Sequence, residues 1–210
     1  MSAAQAELSP LSATQSDLLQ TLRQTRRRLR ALSADERSAA EEMLQRGFAH
    51  RFFDVPMTLS PRRVALTRSG WSLIASLHPD RPAPWEVAMS VARDVMGWAI
   101  DTSDGREGLE VRARMPGTQI VRGLRLPFWK QDPAIFNPLM QIDDAYLAFS
   151  QAAQRFPIRG IQQRQQPGTD FWTISIEMEA GRQISVEAHD AGPEGVIRAL
   201  LEVARVERQA

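Results

Sequence analysis

Two of the three histidines stand beside aspartate, in His78-Pro79-Asp80 and His189-Asp190, while His50 lies apart from both. Imidazole next to carboxylate is material for metal ligation or proton transfer. The spacing argues against both uses. The three come from separate segments, no HExxH or other close ligand pair occurs, and Asp80 and Asp190 precede proline-started helices, where a capping role is the simpler reading. Glu177 and Glu179 alternate onto one strand face, opposite Trp172, Ile174, Ile176 and Met178, with Glu187 on the polar side of the next strand. An open polar sheet face does not push two carboxyl pKa values apart, as acid–base catalysis requires. Asp143-Asp144 reads as helix-start chemistry.

Phosphate-cradling patterns are missing: there is no GxxxxGK[ST] and no GxGxxG, and the only lysine, Lys130, precedes glutamine. No GxSxG or SxxK offers a serine nucleophile, and there is no cysteine to bind metal or attack a carbonyl. These patterns assign no catalytic residue, no metal ligand and no cofactor.

Positive charge is the next feature that could carry function. "LRQTRRRLRAL", residues 22 to 32, concentrates arginine, yet arginine supplies all but one of the 26 basic side chains and the formal net charge is +1. No global field draws the chain to nucleic acid or an anionic membrane, so attraction must be local. From Ser16, Leu18, Leu22, Leu29 and Leu32 form one stripe of a helix of about four to five turns. Arg23, Arg26, Arg27 and Arg30 gather on a flank away from it, and Arg28 lies on the other side. A second helix begins at "SADE", a capping box of Ser33 and Glu36. Its Asp35, Glu36, Glu41 and Glu42 provide an acidic side that the arginine flank can pair with. The alternative is a phosphate-contacting face of Arg23, Arg26, Arg27 and Arg30.

The elements that must position these residues are helices and short strands. Apolar residues make up 43% and charged residues 24%, a composition that buries a core. Residues 1–15 read as a flexible tail, 16–100 as the helical pair plus a first hairpin and helix unit, 101–108 as a linker, and 109–210 as a second such unit. "FFDVPMTL" is a candidate edge strand, and "RRVALTR-SG-WSLIASL" reads as two strands about a tight Ser69-Gly70 turn. Pro84 and Pro193 each open an apolar helix. The strands "LEVRARM", "TQIVRGLRL", "PIRGIQQRQ", "DFWTISIEME" and "RQISVEAHD" follow, and Asn137-Pro138 or Asp143 starts the helix between them. The expected class is α+β, antiparallel hairpins packed against helices behind an N-terminal helical pair.

Internal repetition is part of that expectation. Both halves run helix, three strands, helix, and Val87, Ala88, Val91 and Ala92 match Val196, Ile197, Leu200 and Leu201, which suggests two related α-β-β-β-α units. The order over 139–208 also resembles the topology of double-stranded-RNA-binding domains, whose last helix opens with a lysine cluster on phosphates. Here that position reads "GPEGVIR", with Glu194, so no residue is carried over.

The loop "PFWKQDPAIFNP" sets Phe128, Trp129 and Phe136 among three prolines, and large aromatics on such a loop suit an interface. With no basic n-region ahead of an apolar stretch and no long apolar run, the location expected is cytoplasmic. The expected role is a non-catalytic binding protein, an assembly factor, chaperone or scaffold, working through protein contacts at Phe128, Trp129 and Phe136, with self-association open and no membrane. The alternative is a nucleic-acid-binding accessory protein, and the third reading a hydrolase with an unrecognised site.

Overall fold

The computed structural model describes residues 10–24, 27–28, 32–52, 63–105, 108–125, 135–189 and 192–210. They form an α+β fold with six helices and three antiparallel three-stranded sheets, ordered β1-β3-β2, β4-β5-β6 and β7-β8-β9. Two compact units emerge, Met1–Pro82 with Ser103–Glu110, and Ala83–Thr102 with Val111–Ala210. Among the described residues no helix is long and apolar enough to cross a membrane.

In the first unit, helix α1 spans Ala13–Gln24. It starts inside the expected tail because Ser12 and Gln15 form their own capping box: the Ser12 hydroxyl accepts from the Gln15 amide at 3.2 Å, and the Gln15 side chain accepts from the Ser12 amide at 2.9 Å. The helix also ends earlier than its leucine spacing predicts. Strand β1, Arg27–Arg28, pairs antiparallel with Val64 and Arg63 of β3, and backbone satisfied in a ladder is unavailable to the helix. Helix α2, Ala34–Gln45, begins at the predicted Ser33–Glu36 capping box. Its Ala39, Ala40 and Met43 pack into one core with Leu18, Leu19 and Leu22.

Strands β2, Ala49–Phe52, and β3, Arg63–Leu66, pair in register Ala49↔Leu66 to Phe52↔Arg63. The predicted second strand, "WSLIASL", is helix α3, Arg68–Leu77. Thr67 is its N-cap, its hydroxyl accepting from Gly70 at 3.1 Å, so the Thr67 to Gly70 stretch opens a helix instead of reversing a hairpin. Ile74 drives the choice, fully buried with Trp71 and Leu73 packed against the same core.

In the second unit, helix α4, Pro84–Ser90, runs into a wider helical turn at Val91–Val95. Asp80 does not cap it. The cap position is Ala83, whose amide donates to the buried Glu86 carboxylate, while Asp80 pairs loosely with Arg81 on the surface. Strand β4 covers Ala99–Gly105 and β5 covers Gly108–Arg114, their residues from Ser103 to Glu110 belonging to the first unit, so most of the expected 101–108 linker is paired sheet; residues 106 and 107 lie outside the described residues. Strand β6, Val121–Arg125, completes that sheet. Helix α5 covers Ile142–Arg155, close to the shorter of the two starts the sequence offered. Strands β7, Ile158–Gln165, β8, Trp172–Met178, and β9, Gln183–Ala188, form an antiparallel meander covered by helix α6, Pro193–Glu207. Ile174, Ile176 and Met178 of β8 and Ile197, Leu200 and Val203 of α6 are all buried.

The order α-β-β-β-α occurs twice, as α4-β4-β5-β6-α5 and α5-β7-β8-β9-α6, with α5 shared. The first therefore starts at α4, because residues 71–77 form a helix where the sequence pattern placed a third N-terminal strand.

Candidate functional site

The residues singled out by sequence separate when placed. Phe136 is a core side chain, 1% exposed, with its ring 5.4 Å from that of Trp98 and the Arg122 guanidinium 5.9 Å from its centre. Its amide donates to Gly123 O at 2.9 Å. Behind it, buried Asp144 accepts from Arg122 at 2.9 Å and from the Asn137 amide at 2.7 Å, so the second acid of Asp143-Asp144 holds the loop's end as well as the helix start. An exposed anchor at Phe136 is thus corrected, while Phe128 and Trp129 lie outside the described residues.

Arg23 is 2% exposed and donates to His78 O at 2.9 Å, so it faces inward and not onto an arginine flank. Arg26 and Arg30 lie outside the described residues, and of Arg27 only the backbone is described. Among the described residues two of the α2 acids have other partners: Glu41 pairs with Arg51, and Glu42 accepts from buried Gln15. The histidines stay separate. His78 Nε2 is 3.1 Å from Ser16 Oγ, the His189 ring lies 4.6 Å from that of Phe171 at a tilt of 37°, and His50 is exposed in β2. Among the described residues no group of three or more His, Cys, Asp or Glu could hold a metal ion. Glu177 accepts from Gln162 on the polar face of β7-β8-β9, and Glu187 from Gln166 at 2.9 Å, while Glu179 turns out of the strand into a short helical turn.

What the structure brings together is a different set. Helix α5 carries two apolar stripes. Ala145, Ala148 and Ala152 face inward and are buried, whereas the larger Ile142, Tyr146 and Phe149, at i, i+4 and i+7, form a stripe about a quarter turn away. Ile142 is 57% exposed, Tyr146 67%, and Met140 just before the helix 78%. Large apolar groups turned outward while alanines fill the interior are the reverse of what burial alone favours. This stripe forms one wall of a cleft of about 600 Å³, closed by Ile161 and Gln163 of β7 and by Gly192, Pro193 and Val196 at the start of α6. The sequence signal for this stripe is a helix with more apolar positions than one buried face can use.

Two ion-pair groups tie elements of this unit together. Arg122–Asp144 ties β6 to the first turn of α5. At the end of α6, Arg208 reaches Asp94 at 3.2 Å, and the hydrogen bond from Arg93 to the same carboxylate holds the Arg93 guanidinium above its usual pKa. On the outer face of α6 the hydrogen bond from Arg205 holds the Glu202 carboxyl below its usual value.

Compared with family models, curated proteins and solved structures, the chain matches none.

Proposed function

We propose that the protein is a non-catalytic cytoplasmic binding protein, an assembly factor or chaperone-like scaffold, that holds an apolar stretch of another polypeptide in the cleft between α5, β7 and the start of α6. The observation that carries this reading is the outward stripe of Met140, Ile142 and Tyr146 beside a cleft of about 600 Å³. A cleft of that size takes side chains, and its side-chain lining is mainly apolar, with the Tyr146 hydroxyl and the Gln163 amide as polar groups. Apolar grooves with fixed walls suit recognition of a peptide by its side chains. A chain without cysteine also suits a reducing compartment.

A peptide-display selection against the intact protein tests it. Selected peptides are expected to share bulky apolar residues, and Ile142→Asp with Tyr146→Asp should abolish their binding without changing the unfolding transition, since both side chains are more than half exposed. Selection of no common apolar pattern, or binding indifferent to the double variant, overturns the reading.

A further inference from the structure

The cleft has a second boundary besides its apolar wall, the free edge of β7. In the β7-β8-β9 sheet this strand is terminal, and among the described residues β8 is its only neighbour. Its eight residues, "IRGIQQRQ", contain two arginines and no acid. An open edge leaves backbone N–H and C=O groups ready to pair with another chain, and proteins normally guard such edges with charge or a bulge. Both guards are present. Between Ile158 and Gly160 the register advances two residues on β7 against one on β8, so Arg159 is the extra residue of a bulge.

The bulge also decides which way the edge points. Ile161 stands opposite Ile176 and Gln163 opposite Ile174, on the face covered by α6, where the cleft lies. Arg164 stands opposite Thr173 on the polar face. An unbroken strand would put residues five apart on opposite faces, but the extra residue lets Arg159 join Gly160 opposite Glu177, on the face of Arg164. Both arginines are exposed and, among the described residues, unpaired.

We infer that, granting the cleft as the binding site, its occupant is an extended segment of another protein that adds a strand to β7, placing apolar side chains in the cleft and acidic side chains against Arg159 and Arg164. Charge complementarity selects this occupant over a second copy. A second β7 would bring two more arginines and no acid to the same edge, and like charges on adjacent strands repel. An incoming strand alternates its side chains with period two, so an acidic and apolar alternation meets both faces at once.

The probes are short synthetic peptides that alternate valine or phenylalanine with threonine and two glutamates on one strand face, the same peptide with lysine for glutamate, and the first peptide with alternate amides N-methylated. Binding is read by fluorescence titration at low salt, and amide exchange follows residues 159–165. The glutamate peptide should bind at least about tenfold tighter than the lysine peptide, corresponding to about 1.4 kcal/mol. Arg159→Ala with Arg164→Ala should remove that preference, N-methylation should abolish binding, and the β7 amides should gain protection. If the glutamate and lysine peptides bind equally, or N-methylation is harmless, strand addition is refuted, and the cleft reading survives only where Ile142→Asp with Tyr146→Asp still abolishes binding. If none of the peptides binds, strand addition by an acidic segment is refuted, and the display selection decides the cleft reading alone. Sedimentation showing a dimer that the two arginine substitutions strengthen refutes the choice of a different protein as occupant.

Discussion

Replacing Phe136 by alanine separates a core residue from an interface residue, and the structure fixes which it is. The ring is 1% exposed, lies against Trp98 and Arg122, and sits on backbone pinned from two sides, by its own bond to Gly123 O and by the Asn137 amide on Asp144. Deleting a buried phenylalanine ring typically costs about 3 to 5 kcal/mol, more where the surroundings cannot collapse into the void. Pinned backbone resists collapse, so the upper part of that range is expected. The aromatic pair with Trp98 accounts for roughly 0.5 to 1.5 kcal/mol of it. Urea unfolding followed by circular dichroism and by amide exchange measures the loss, which should appear as a lower midpoint with an unchanged slope. Tyr146→Ala is the internal control, because a side chain 67% exposed should change stability by no more than about 0.5 kcal/mol. A loss below about 1 kcal/mol for Phe136→Ala, or equal losses for the two variants, refutes the assignment of Phe136 to the core and of Tyr146 to the surface.

Two further outcomes follow from the first unit. A Cβ at Gly70 would lie 2.0 Å from Phe48 O, where Cβ contacts under 3.0 Å essentially never occur, and the obstacle is backbone; Gly70→Ala should therefore cost about 1 to 3 kcal/mol, and a neutral result in thermal melting means that Gly70 of α3 does not lie against the Phe48 carbonyl. Arg23→Ala should lower stability by about 1 to 3 kcal/mol by leaving the His78 carbonyl without its charged donor, with little dependence on salt; a strongly salt-dependent effect on nucleic-acid binding with unchanged stability would instead place Arg23 on the surface.

Legibility differed by element for reasons that can be named. The α+β class, both proline-opened helices, the Ser33–Glu36 capping box and six of the strands were readable because each rests on local rules: a cap within one turn, alternation within one strand, proline at a first helical position. The Ser12–Gln15 box obeys the same rule and is legible in the sequence too, inside the stretch expected to be tail. "WSLIASL" was not decidable locally, since a short apolar run suits strand or helix equally. The buried contacts of Ile74 and the missing Cβ of Gly70 against Phe48 decided it. Likewise Asp101–Gly105 looks like a linker by composition and is a strand because β5 satisfies its backbone.

The site was the least legible part, because exposure is a property of neighbours and not of residue type. Sequence establishes that Phe136, Ile142 and Tyr146 are large and apolar, and that Arg23 and Arg159 are cations. Only the tertiary structure decides that Phe136 and Arg23 are enclosed while Ile142, Tyr146 and Arg159 remain at the surface. Trp98 and Gly123 surround the first, His78 lies over the second, and a terminal strand with a bulge leaves the last, among the described residues, without a neighbour on its outer side. Each of those partners is at least thirteen residues away in the chain or on another strand, beyond the reach of any local pattern.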